Sequence, residues 1–258
     1  GFAADFIDSS GNVVGSGYYE IGEDMLLRRV KNDSLEKEIR SKLKISKDYE
    51  IDDASVIMKD ENGNRYRLPK GHKDFDKLWE NEGYRCIREV VTERFLMNVH
   101  GSFYELPRES SGGLRKIKPI CTHNRMIYDF ASWRGMLVLA GNLSDAVEDE
   151  HYIPSDDNKA GLWFGNVDDL WKMGAPKGEG GPCYNTQMKA NEPSDPYLMT
   201  GYDNKTVTFY HDSIYDVEFT IEVDYMADNS WHVYDVITVK PGEKLVHDFP
   251  KGFNAHWV

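Results

Sequence analysis

"ERFLMNVHGSFYELP", residues 93–107, alternates over most of its length. Successive side chains of a β-strand point to opposite faces. Phe95, Met97, Val99 and Phe103 therefore fall on one side, and Leu96, Asn98, His100, Ser102 and Tyr104 on the other. The reading is one strand with an apolar packing face and a polar face carrying an imidazole, an amide, a hydroxyl and a phenol. Gly101 inside it marks a bulge or a close approach of backbone.

Strand patterns continue on both sides of this stretch. "FAADFIDSSGNVVGSGYYEI" (2–21) and "ASVIMKDENGNRYRLP" (54–69) each read as two strands around a turn. Their tips share one layout, Asp8-Ser9-Ser10-Gly11-Asn12 and Asp60-Glu61-Asn62-Gly63-Asn64. A repeat of that kind is what blade-like architecture produces. "YRCIREVV" (84–91), "RKIKPICTHN" (115–124), "RMIYDFAS" (125–132) and "GMLVLAGN" (135–142) are further strand candidates. The last third, 206–212, 217–225, 231–239 and 243–249, reads as an antiparallel meander with one wet face. One helix is expected over about 34–44, with Asp33 and Glu36 as a capping box and Leu35, Ile39 and Leu43 as its apolar stripe.

The expected fold is all-β: β-propeller-like blades with a C-terminal antiparallel meander. Two-sheet sandwiches are the alternative. The blades would occupy residues 1–174. Residues 175–258 would supply an irregular Gly/Pro loop and the C-terminal strands, packed as part of the same domain. The loop, "APKGEGGPCYNTQMKANEPSDP" (175–196), is long enough to suggest a border of a binding face.

The 258 residues carry 31 Lys and Arg against 44 Asp and Glu, a net charge of −13. That argues against neutralising nucleic-acid phosphates. Three cysteines, Cys86, Cys121 and Cys183, are too widely spaced for a zinc ribbon or a redox pair, and read best as three buried thiols. No apolar run approaches the length of a membrane span, and the start has no signal-peptide pattern. The chain begins at Gly1 rather than Met and ends on the strand-like "AHWV", so it reads as a piece of a longer protein.

"GLWFGNVDDLWKMG" (161–174), "PSDPYLMTGYDNKTVTF" (193–209) and "FPKGFNAHWV" (249–258) resemble the ends of a group of secreted bacterial β-propeller proteins. That group is associated with polysaccharide breakdown. "ERFLMNVHGSFYELP" and "KPICTHN" look like its central blades, so the resemblance covers roughly residues 84–258. It implies a secreted or periplasmic protein whose partner is an oligo- or polysaccharide. The Asp-box of sialidases, S-x-D-x-G-x-T-W, is absent.

Two functions compete. One is a glycoside hydrolase or polysaccharide lyase acting on a complex glycan. The other is a non-catalytic propeller that binds glycan or protein. His100 and His123 are the candidate catalytic groups, because an imidazole exchanges protons near neutral pH. Asn98 and Tyr104 suit sugar hydroxyls, Asn124 and Arg125 flank His123 at a strand end, and Arg125 can clamp a uronate. Trp171, on a short helical turn ahead of the Gly-rich loop, is the expected stacking platform; Trp133 and Trp163 read as core. Glu93, Glu105 and Asp129 are the carboxylates nearest the histidines in sequence, but spacing alone selects no glycosidase pair. No cofactor is required. "SDDN" (155–158) is oxygen-rich enough for calcium but lacks the EF-hand spacing, and reads better as a solvated acidic loop.

Overall fold

The structure, a computed structural model, describes residues 1–10, 12–42, 49–73, 75–78, 86–91, 94–123, 125, 127–140 and 150–258. Strands take 43% and helices 11%, so the fold is all-β. Strands β1 (Phe2–Ile7), β2 (Val13–Ile21) and β3 (Leu27–Val30) form a first antiparallel sheet. Helix α1 (Asp33–Lys42) follows it. A second sheet holds β4 (Glu50–Ile51), β5 (Val56–Lys59) and β6 (Arg65–Leu68), and a four-residue helix, α2 (Phe75–Leu78), follows. The third sheet is a true meander of β7 (Ile87–Val91), β8 (Arg94–Val99), β9 (Ser102–Leu106) and β10 (Lys118–Thr122). The fourth holds β11 (Asp129–Trp133), β12 (Met136–Ala140), β13 (Tyr152–Pro154) and β14 (Gly161–Gly165), ordered β11-β12-β14-β13.

These sheets share cores face to face. Val56, Met58, Tyr66 and Leu68 of the second sheet pack with Met97, Val99 and Tyr104 of the third. The opposite face of the third, Leu96, Phe103 and Cys121, packs with Phe130, Leu137, Leu139 and Trp163 of the fourth. The other face of the fourth, Leu162 and Phe164, packs with Tyr19 and Leu27 of the first. The third and fourth sheets therefore bury both faces, and apolar burial of this kind is the main stabilising term.

The opening stretch is a hairpin, not one strand. His100 and Gly101 form its turn, with φ of 51° and 76°. Two positive φ values are what a two-residue type I′ connection requires, because its twist matches that of the strands. The turn resets the alternation. Val99 pairs with Ser102, Asn98 with Phe103 and Met97 with Tyr104. Tyr104 thus shares a face with Met97, and Phe103 with Asn98, the reverse of a continuous strand.

Three further expectations change. Helix α1 is capped by Asn32, whose Oδ1 accepts the Leu35 N–H at 3.0 Å, while Glu36 pairs with Arg40 instead of closing a capping box with Asp33. The region 125–132 enters its strand only at Asp129. The C-terminal strands do not form a meander: β15 (Thr206–Phe209) pairs with β18 (Leu245–Asp248), and β16 (Val217–Asp224) with β17 (Trp231–Val239). The rings of Phe209 and Phe219 meet at 5.1 Å, and Tyr234, Phe249 and Phe253 join them. Aromatic packing between two nested ribbons replaces edge pairing of consecutive strands.

The repeated hairpin tips do form the same turn. Asp8 accepts the N–H groups of Ser10 and Asn12 at 2.8 and 2.9 Å. Asp60 accepts those of Asn62 and Asn64 at 2.9 and 2.8 Å. An Asp side chain that satisfies its own turn backbone is the reason this residue recurs there.

Candidate functional site

The turn at His100 and Gly101 sits where several loops meet. A Cβ on Gly101 would press on the Phe75 ring at 2.6 Å, so α2 lies directly over the turn. The His100 side chain is wholly buried. Its Nδ1 accepts the Gly71 N–H at 3.1 Å, which leaves the proton on Nε2 to be donated to Asp76 Oδ1 at 2.8 Å. Lys70 Nζ reaches the same carboxylate oxygen at 3.1 Å. Burial lowers the pKa of His100, against the pull of Asp76. Burial opposes the charge on Asp76, yet the hydrogen bonds from His100 and Lys70 outweigh it and hold its carboxyl below the usual range.

A second buried histidine lies on the other side of the sheet. His123 Nδ1 accepts the Arg125 N–H at 3.3 Å, and its Nε2–H donates to Asn98 Oδ1 at 3.0 Å. Asn98 Nδ2 donates in turn to the Ile127 carbonyl at 3.1 Å. The Phe103 ring lies 5.0 Å from the imidazole. Burial pushes the pKa of His123 down to about 4.

Both histidines are thus neutral at pH 7, closed off from solvent and saturated by protein partners. Asn98, Tyr104 and His123, at 3%, 0% and 2% exposure, are equally enclosed. The polar face read in the sequence is an interior, where hydrogen bonds offset the cost of burying polar groups. Asn124 and Glu93 lie outside the described residues. Arg125 is half-buried and lends its backbone N–H to His123. Asp129 is taken up by the two-pronged Arg88 guanidinium at 2.7 and 2.5 Å.

Trp171 is placed differently. Asn166 and Asp169 form a reciprocal capping box on the turn Val167–Met173, and buried Leu170 anchors it. Lys172 pairs with Asp169 at 2.9 Å. On this fixed turn the indole of Trp171 stands 74% exposed. Trp163 is core, and Trp133 is half-buried with Arg134 stacked 4.6 Å over its ring.

The segment after that turn lies as a strap along the ends of the second and third sheets. Thr122 Oγ1 donates to the Lys177 carbonyl and accepts its N–H. Lys70 and Glu179 exchange two backbone bonds at 2.8 and 2.9 Å. A Cβ on Gly178 or Gly180 would strike Pro69 or the Ala54 carbonyl, so glycine lets the strap lie flat. The return leg is fixed by Arg67, which is buried and bonded to Asp52, Ser55 and Asp195. Asp76 and Arg67 were not legible as partners in the sequence, because His100 and Asp195 lie 24 and 128 residues away along the chain.

The "SDDN" loop is committed to protein contacts. Asp156 accepts the Arg29 N–H at 3.0 Å, and Asp157 accepts from Ser155, Lys159 and Tyr19. Among the described residues no group of three or more His, Cys, Asp or Glu could hold a metal ion. Cys86 and Cys121 are buried and Cys183 is half-buried. Burial pushes Cys121 up to about 12, far from a reactive thiolate. Among the described residues no helix is long and apolar enough to cross a membrane.

No protein-family model, curated protein or solved structure matches this chain.

Proposed function

We propose that the chain is a blade-built β-propeller module of a secreted or periplasmic polysaccharide-processing system, and that it binds glycan without cleaving it. The propeller reading is supported by four small antiparallel sheets, packed face on face, with both faces of two of them buried. The binding reading is carried by one observation, the exposed Trp171 indole on a rigid, capped turn. A flat apolar ring held in place loses little freedom on stacking against a sugar, and Asp169 and Lys172 beside it offer polar partners for hydroxyls. The hydrolase or lyase reading would need His100 or His123 to exchange a proton with substrate, and neither side chain reaches solvent.

Screening the protein and its Trp171→Ala variant against plant and host glycans tests this. The variant should unfold within about 0.5 kcal/mol of the parent. Its affinity for the bound glycan should fall at least about tenfold, or ~1.4 kcal/mol. Unchanged affinity would remove Trp171 from the site. Release of reducing ends or unsaturated uronates by the parent would restore the enzyme reading.

A further inference from the structure

The strap is fastened at successive points, and two of them rest on the His100 hairpin. Thr122 holds Lys177, and Ser102, next to the turn, bonds the Thr122 hydroxyl at 2.9 Å. Lys70 exchanges both its backbone groups with Glu179, and the Gly71 N–H beside it ends on His100. A further point, the Gly181 N–H on the Ala54 carbonyl at 3.1 Å, lies on the loop before β5.

Gly71 has little slack. Its N–H is shared between His100 Nδ1 at 3.1 Å and the His100 carbonyl at 3.2 Å, and the His72 N–H reaches Nδ1 at 3.4 Å. A Cβ on Gly71 would fall 2.4 Å from that carbonyl, so the backbone is pressed against the hairpin and can yield only outward. The arrangement needs Nδ1 to be an acceptor. Neutral imidazole supplies one, with its proton on Nε2 toward Asp76; imidazolium carries N–H on both nitrogens and supplies none. A proton added at Nδ1 would point at the Gly71 and His72 N–H groups, donors facing donors in a dry interior.

The charges that bear on the ring are Asp76 from α2, which favours imidazolium, and Lys70 from the segment after β6, which opposes it. Ser102 and Thr122, beside Gly71, are uncharged, and Lys177 and Glu179 of the strap are held here through their backbone atoms. The Asp76 side chain is 38% exposed and that of His100 is fully enclosed. Imidazolium therefore gains by following Asp76 toward water, away from Gly71.

We propose that His100 is an acid-sensitive latch for the strap: while Nδ1 accepts, it holds residues 70–72 and through them the strap at 177–181, and once Nδ1 is protonated that segment moves outward and the strap leaves the ends of the second and third sheets. The latch stands independently of Trp171. Its direction in pH follows from burial, which lowers the proton affinity of the closed ring despite Asp76. The latch is fully closed above the ordinary imidazole value of 6.5, and opens progressively as pH falls from there toward the lower value of the closed form.

Amide hydrogen exchange of the full chain, read by mass spectrometry at pH 7 and 5 and corrected for the intrinsic pH dependence of exchange, tests the latch. Protection over residues 177–181 should fall at least about tenfold between the two, since one proton taken up shifts an equilibrium by up to about tenfold per pH unit. Protection of β8 and β9 should hold. His100→Asn sets an amide oxygen where Nδ1 stands, tolerates the positive φ and takes up no proton, so its strap should stay protected at both values. In Asp76→Asn the loss should move to more acid pH, because the carboxylate that favours imidazolium is gone. His123→Gln should respond as the parent does. If His100→Asn does not fold, the displacement in Asp76→Asn decides. Equal strap protection at both pH values, a loss shared by β8 and β9, an undiminished loss in His100→Asn, no displacement in Asp76→Asn, or a response abolished in His123→Gln would overturn the proposal.

Discussion

The third sheet and the C-terminal ribbons make opposite use of the same alternating pattern. In β8 and β9 the polar residues Asn98 and Ser102 are as buried as Met97 and Phe103. In β17 and β18 the apolar residues Val233, Val236 and Val246 are 60%, 47% and 59% exposed. The difference lies in what stands on each face. The third sheet is covered on one side by the second and on the other by the fourth. Each ribbon packs only its inner face, through Phe209, Phe219, Tyr234 and Phe249. Polarity along a strand reports which groups can be satisfied, and layering decides which are wet.

Glycine gives the sharpest way to break the comparison. Gly101 and Gly242 have nearly equal φ, 76° and 73°. A Cβ on Gly242 meets nothing within 4 Å, whereas one on Gly101 meets the Phe75 ring at 2.6 Å and the His123 carbonyl at 3.3 Å. Gly242→Ala should cost about 1 kcal/mol, the left-handed penalty alone. Gly101→Ala adds overpacking of about 1–3 kcal/mol, so it should cost about 3 kcal/mol. Denaturant midpoints of the two variants check this; equal costs would mean that α2 yields freely above the turn.

The next effect is on pH dependence. The folded pKa of His123, about 4, lies below the ordinary imidazole value of 6.5. The unfolded chain therefore binds more protons between those values. The stabilisation is fully present above pH 6.5 and is lost as pH falls through 4, to a total of about 3 kcal/mol. His100 shifts in the same direction. The loss from Asp76 and Asp52, whose carboxyls are held low, comes at more acid pH. Unfolding free energies at pH 7, 5.5 and 4.5 should show the slope, and His123→Gln should reduce it. A slope unchanged in that variant would mean that His123 can reach solvent when protonated.

How far the sequence alone reached follows from the same contrast. Short-range chemistry was legible: the Asp8 and Asp60 turns, the helix near Asp33, and the exposed position of Trp171 on a turn closed by Gly174. Each depends on residues within a few positions of one another. The hairpin at His100 and Gly101 was not read, because a histidine with positive φ is rare and the alternation of apolar and polar residues runs on through it. The buried state of His100 and His123 was not legible either. It depends on Asp76, Gly71 and Ile127, and on a fourth sheet whose placement no local pattern states. The nested ribbons escaped for a similar reason: consecutive strands pair in most sheets, and only the aromatic core between β15 and β16 overrides that habit here.

The smallest effect tests the outer faces themselves. Val99 and Val236 sit in antiparallel strands, one wholly buried and the other 47% exposed. Threonine keeps the shape and the strand preference of valine and adds one hydroxyl. At Val99 the hydroxyl enters the core between the second and third sheets, where an unpaired polar group costs about 1–3 kcal/mol. At Val236 the hydroxyl meets water, and the change should stay within about 0.5 kcal/mol. Val236 pairs with Thr220 across the ribbon, so the hydroxyl also gains a cross-strand neighbour of its own kind. Urea unfolding of both variants at two protein concentrations is the check. If Val236→Thr costs more than about 1 kcal/mol, and the cost grows with concentration, the outer face of β17 is covered in solution by another copy of the chain, and the contrast between the two regions narrows to one of assembly.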